Sequence, residues 1–202
     1  MTKIKLCGLS RPCDIAATNE LNPEYIGFVF VPKSKRYITP QKAKALKQLL
    51  NANTKAVGVF VNEDVKTIAD LLNQGIIDIV QLHGAEDEDY IKQLRILTDK
   101  PIIKAIRIES EKELVDAECC SADCILLDSG AGTGTVFNWK LIQNVNRPYF
   151  LAGGLTPDNV ENAISMLHPY AVDVSSGIET DGLKDKTKMA AFTAAVRKEE
   201  KI

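Results

Sequence analysis

The stretch PYFLAGGLTPDNVENAISMLHPYAVDVSSG, residues 148–177, decides the fold. It begins with an apolar run, PYFLAG (148–153), that ends on glycine. A helix signal follows in TPDNVENAISML (156–167), where a Thr-Pro pair suits a cap and first turn and apolar residues recur at helical spacing. A second run, AVDVSS (171–176), closes the unit on glycine again. Strand, helix, strand in about 30 residues is the repeating unit of a parallel sheet.

The same alternation continues back to the N-terminus. Six further runs read as strands: IKLC (4–7), YIGFVF (25–30), AVGVFV (56–61), DIVQL (78–82), PIIKAI (101–106) and DCILLD (123–128). Helical patterns cover 39–51, 62–75, 86–97 and 185–200, with a weaker one over 109–120. Eight such units in 202 residues predict an α/β fold, a single-domain (β/α)8 TIM barrel over 1–202 near that fold's lower size limit. A doubly wound open sheet is the structural alternative.

Composition narrows the function. Hydrophobic residues are 45% and charged residues 26%, a globular balance with no linker or low-complexity segment. A net charge of -2 argues against nucleic acid and anionic membranes as partners. No apolar run is long enough for a membrane span, and the N-terminus lacks a signal-peptide core, so a cytoplasmic location is expected. Five cysteines without a CxxC pair fit a reducing compartment, and two histidines argue against a zinc site.

In such a barrel the chemistry gathers at the C-terminal ends of the strands. Gly153-Gly154 follows run seven and Ser175-Ser176-Gly177 follows run eight. Glycines there let backbone N–H groups approach an anion, and this corner of the fold is a frequent phosphate site. Two tight turns would need the same glycines. Asp128 stands at the tip of run six, as an acid or a turn residue, before a loop of small residues at 129–135. Ser34, Lys35 and Arg36 form a basic loop after run two that suits a carboxylate, Arg36 above all, whose planar fork binds bidentately. Arg11 is read as serving the first loop or its helix. His83 ends run four, with Gln81 deeper on the same face. In KIKLCGLSR (3–11), Cys7 is either packing or a reactive thiol at the mouth of a site. Cys13, Cys119, Cys120 and Cys124 read as packing, and His168 as a loop residue. If Cys7 points inward, so does Lys5. Asp173 on the neighbouring run eight then becomes its expected partner.

Seven motifs in order, KLCGLSR, GFVFVPKSKR, VGVFVN, VQLHG, LLDSGAGTG..FNW, LAGGLTPDNV and DVSSGIE...GLKD, resemble the phosphoribosylanthranilate isomerase family over nearly the whole chain. The resemblance implies an Amadori rearrangement of N-(5-phosphoribosyl)anthranilate in tryptophan biosynthesis, without metal or cofactor. It implies Cys7 as general base, Asp128 as general acid and Arg36 on the anthranilate carboxylate. Gly153, Gly154, Ser176 and Gly177 would hold the phosphate, and His83 joins them as a substrate-contacting candidate. A cationic rim is expected to favour the Cys7 thiolate, with Gly8 leaving room above it. The implied partner is a small phosphorylated substrate, and the implied state a monomer or homodimer. Two departures from the family pattern are Asn138 for an aspartate and Ala131 for a glycine. Rival readings keep the barrel. An epimerase would need a histidine and acid metal cluster, and an indole-glycerol-phosphate synthase a lysine–glutamate set. A non-catalytic phosphosugar-binding barrel would not need Cys7 and Asp128.

Overall fold

A computed structural model of the chain describes residues 1–108, 110–128, 142 and 145–198. The strands are β1 (Lys3–Cys7), β2 (Tyr25–Val29), β3 (Lys55–Phe60), β4 (Ile79–Leu82), β5 (Ile102–Arg107), β6 (Cys124–Asp128), β7 (Tyr149–Ala152) and β8 (Ala171–Val174). They pair in parallel in chain order, and β8 closes back onto β1. The closed barrel is the expected fold; the open sheet is not. All eight runs became strands because strands covered on both sides read as continuous apolar runs.

Helices among the described residues are α1 (Pro12–Leu21), α2 (Pro40–Gln48), α3 (Val65–Asn73), α4 (Glu88–Leu97), α5 (Glu111–Cys119), α6 (Val160–Leu167) and α7 (Lys186–Arg197). The caps are those of ordinary helix chemistry. Thr39, Asp64, Asp87, Ser110 and Asp185 accept from N–H groups of their first turns. Helix α6 starts four residues later than its Thr-Pro pair predicts. The Asn159 side chain ties the Thr156 N–H to the Gly154 carbonyl, which makes 156–159 a turn before the helix. Helix α1 has Pro12 at its first position and Asp14 in its first turn but no apolar stripe at helical spacing. It buries Asp14, Ile15, Ala17 and Thr18, a small and polar face in place of a leucine stripe.

Alternation along β1 sends Ile4 and Leu6 outward to the helices and Lys5 and Cys7 into the barrel. The outer layer is the larger core, with Phe28, Phe60 and Phe192 fully buried in it. Inside, Val57, Ile79, Ile103, Leu126, Phe150 and Ala171 fill the lower barrel. This plug leaves the upper end open to a cavity. After β8 a single 3-10 turn (Ser176–Ile178) leads into a two-stranded hairpin, β9 (Glu179–Thr180) and β10 (Leu183–Lys184), ahead of α7.

Candidate active site

The cavity at the C-terminal ends of the strands encloses about 660 Å3. It gathers Cys7, Arg36, His83, Asp128, Gly153, Gly154 and Ser176 from six strands and their loops. Gly177 is not on its wall. A Cβ there would lie 1.9 Å from the Leu155 carbonyl oxygen, so Gly177 lets the loops after β7 and β8 lie against each other. Gly153 (φ 92°) and Gly154 (φ 64°) both take the left-handed backbone that glycine tolerates.

Cys7 is 7% exposed. It pairs in register with Gly27 on β2, where an added Cβ would stand 2.5 Å from the thiol sulfur and 3.1 Å from the Cys7 Cα. Burial pushes the Cys7 thiol up from its ordinary range; Lys5 and Lys184 pull the other way without overcoming it. The expectation that a cationic rim would favour the thiolate is therefore corrected, because desolvation of the buried sulfur outweighs Lys5 and Lys184. The space above Cys7 is also not vacant. Gly8 (φ +81°) lets the stem of Arg36 pass over it, with a hypothetical Cβ 2.5 Å from Arg36 Cδ.

Lys5 is 0% exposed, and its Nζ lies 3.0 Å from Asp173 Oδ1, directly across the β1–β8 seam, as strand parity predicts. Burial disfavours the ammonium, but Asp173 and Cys7 together raise its pKa above the ordinary lysine value. The pair charges the floor of the cavity beneath the thiol.

Arg36 is already engaged. Its Nε and Nη2 donate to the two oxygens of Glu179 at 2.6 and 2.8 Å. Glu179 also accepts from Lys184 Nζ at 2.5 Å, and Lys184 donates on to the Ser175 carbonyl at 2.8 Å. Burial alone would raise the Glu179 carboxyl, yet Arg36 and Lys184 hold it below its usual range. Burial also depresses the Lys184 ammonium. Ser34 Oγ accepts from the Arg36 N–H and shapes the loop, whereas Lys35 points to solvent. Arg11 bonds Asp14 at the start of α1 and the Lys184 carbonyl, as its reading in the first loop and helix predicts.

His83 Nε2 stands 3.4 Å from Asp128 Oδ2, and Gln81 Nε2 lies 2.8 Å from His83 Nδ1. The loop 129–135, Ala131 and Asn138 lie outside the described residues. Cys13 and Cys119 are exposed, which corrects their reading as packing; Cys120 and Cys124 do pack against the core from its edge. His168 caps the C-terminus of α6 in a left-handed conformation. Glu179 and Lys184 were not singled out in the sequence. Their signal lies in GIE...GLKD, but only the hairpin brings the two together.

A buried thiol, a carboxyl group on another wall, a glycine- and serine-lined corner and an arginine fork form a set suited to proton transfer on an anionic ligand. No described helix is long and apolar enough to cross a membrane. The family model described as N-(5′-phosphoribosyl)anthranilate isomerase matches residues 4–195. An enzyme of that name from Thermoanaerobacter is 44% identical, covering 98% of each chain. The phosphoribosylanthranilate isomerase structure from Thermotoga maritima superposes with a TM-score of 0.89 at 35% identity, covering 100% of both chains. Another isomerase structure, in complex with reduced 1-(o-carboxyphenylamino)-1-deoxyribulose 5-phosphate, has a TM-score of 0.87 at 35% identity over 98% of this chain and 99% of that one.

Proposed function

The chain belongs to the N-(5′-phosphoribosyl)anthranilate isomerase family, isomerases of tryptophan biosynthesis, and on that premise we propose that Cys7 is its general base and Asp128 its general acid, within one catalytic domain spanning 1–202. One observation carries the assignment. Cys7 and Asp128 reach the same cavity from β1 and β6, three places apart in the closed ring, with the glycine corner and Arg36 on the remaining walls.

The chemistry uses both groups. Asp128 gives a proton to the ribose ring oxygen as the C1′–O bond breaks, and the anilino nitrogen lone pair forms a C1′=N iminium. The iminium acidifies the C2′ hydrogen. The Cys7 thiolate removes it, and the C–H electrons form C1′=C2′ while nitrogen regains its lone pair. Cys7 is now a thiol and Asp128 a carboxylate. The thiol returns a proton to C1′, and the carboxylate takes the C2′ hydroxyl proton, which leaves a ketone at C2′. Atoms and protons balance, and both residues end as they began. Each proton transfer of this kind contributes roughly 10²–10⁴-fold. The reacting form of Cys7 is the minority thiolate, which Lys5 and Lys184 support against burial.

Gly153, Gly154 and Ser176 take the phosphate in this reading, braced by the Gly177–Leu155 contact. Arg36 keeps its Nε–Nη2 edge on Glu179 and turns its end-on edge, Nη1 and Nη2, to the anthranilate carboxylate. The relative holding the reduced carboxyphenylamino-deoxyribulose phosphate supports a ligand with an anion at each end. The test is fluorimetric. Purified protein given N-(5-phosphoribosyl)anthranilate should abolish the substrate's fluorescence and yield the phosphorylated ketose. Decay no faster than the protein-free control overturns the reading.

A further inference from the structure

Gln81 takes no part in the reaction set out above, yet it lines the cavity on β4 while only 1% exposed. Its amide Nε2 lies 2.8 Å from His83 Nδ1. Its carbonyl Oε1 is buried and has no hydrogen-bond partner among the described residues. A buried amide oxygen without a partner costs free energy, and a hydrogen bond accepted there would offset that cost. His83 Nε2 in turn stands 3.4 Å from Asp128 Oδ2. Gln81, His83 and Asp128 form a line that ends at the proposed acid.

We infer that Gln81 is a positioning residue for that acid, its amide setting which protons the His83–Asp128 pair holds; this rests on the reading of Asp128 as the acid. In the orientation seen, a Gln81 N–H donates to Nδ1. Nδ1 then carries a lone pair, and the one proton of a neutral imidazole sits on Nε2, facing an Asp128 carboxylate. That arrangement has no proton for Asp128 to deliver. It is the pair after it has acted.

The loaded pair keeps an extra proton in the His83–Asp128 contact, and this requires hydrogen on Nδ1 as well. A half-turn of the Gln81 amide meets that need, because Oε1 then accepts from Nδ1–H and the orphan oxygen gains its partner. The amide offers a donor and an acceptor on one rotor, so the same residue matches both states. An apolar residue at 81 matches neither. The other titratable groups on the cavity wall are Cys7 of β1, Arg36 after β2, Arg107 of β5 and Asp173 of β8. They bias the pair through space, whereas the Gln81 amide is bonded to Nδ1 itself.

The experiment compares wild type, Gln81→Leu and Gln81→Glu. In Gln81→Leu the loaded pair loses its acceptor. Its kcat should fall about 10-fold or more, KM should stay within about threefold, and the alkaline limb of the kcat profile should move to lower pH. Gln81→Glu presents a carboxylate to Nδ1–H, so kcat should be largely kept and the alkaline limb should move to higher pH. Opposite displacements are not produced by a merely structural role. The second readout is 15N NMR of the imidazoles, made simple by the chain having only His83 and His168. Wild type should show the Nε2–H tautomer at His83, Gln81→Leu should keep it, and Gln81→Glu should add hydrogen at Nδ1. If Gln81→Leu does not fold, Gln81→Glu carries the test alone. An unmoved alkaline limb, an unchanged His83 signal in Gln81→Glu, or an effect on KM in place of kcat overturns the inference. A protein without isomerase activity would overturn the proposed function and this inference with it, whereas wild-type activity with an unchanged His83 signal in Gln81→Glu would overturn this inference alone.

Discussion

Replacing Gly27 with alanine tests how closely the thiol is held, and the size of the effect can be worked from the contacts. The new Cβ would lie 2.5 Å from Cys7 Sγ, 3.1 Å from Cys7 Cα and 3.2 Å from Cys7 Cβ. Rotating the thiol away relieves the first contact but not the other two. The β1–β2 pair must therefore spread by several tenths of an ångström at the register Cys7↔Gly27. Overpacking of this kind costs about 1–3 kcal/mol. At about 2–4 °C per kcal/mol for a domain of this size, the melting temperature should fall by roughly 2–12 °C. The catalytic cost should be larger, because a reacting group misplaced by about 1 Å loses about 100-fold. We expect kcat lowered roughly 10- to 100-fold in the fluorescence assay, with KM little changed, since the proposed phosphate and carboxylate contacts lie elsewhere in the cavity. Iodoacetamide labelling of Cys7, read by mass spectrometry, should change rate in parallel. Wild-type kcat together with a wild-type labelling rate would show that the strand spacing does not position the base.

Cys7→Ser and Asp128→Asn should each lower kcat by about 10²–10⁴-fold in steady-state assays, while Cys13→Ser, at an exposed thiol, should leave it unchanged; more than half of wild-type kcat in Cys7→Ser would remove the thiol from the mechanism. Arg36→Ala should raise KM far more than it lowers kcat, and the reverse split would refute the carboxylate clamp. Lys5→Met should destabilise by about 3–5 kcal/mol in urea titrations by stranding Asp173, and Lys5→Met/Asp173→Leu should recover most of that; a double variant no better than the single would deny the pairing. Because burial raises the Cys7 pKa, its thiolate fraction is still growing where an ordinary thiol of pKa 9.0 has levelled off. Its alkylation rate should therefore keep climbing beyond about pH 10, where that ordinary thiol has largely levelled off, and half-maximal labelling at or below pH 9 would contradict the shift.

Much of this was open to reading in the sequence. Barrel strands are buried on both faces, so they stood out as apolar runs, and their tips marked Cys7 and Asp128. Strand parity is rigid, and a closed barrel makes its first and last strands neighbours; together these sufficed for Lys5 and Asp173. Helix α1 escaped because its buried face is Asp14, Ile15, Ala17 and Thr18, with Asp14 turned back on the N–H groups of Ser10 and Arg11. Glu179 and Lys184 escaped because their meaning depends on Arg36, 143 residues from Glu179 along the chain. The orphan oxygen of Gln81 and the bracing role of Gly177 are matters of a few ångströms that no residue pattern encodes. The burial of Cys7 likewise needed coordinates, because a cysteine followed by glycine reads the same whether water reaches it or not.

The seam where β8 meets β1 also bears on how the protein is made. Lys5 bonds to a partner 168 residues downstream, and Arg36 to one 143 residues downstream. Both arrive only when the last sixth of the chain has left the ribosome. At roughly 5–20 residues per second, that is a wait of about 10–30 s. During it Lys5 and Arg36 stand without the carboxylates they meet in the closed barrel. Ring closure and completion of the cavity wall are one event, so a chain released short of β8 and the hairpin lacks the partners of both Lys5 and Arg36.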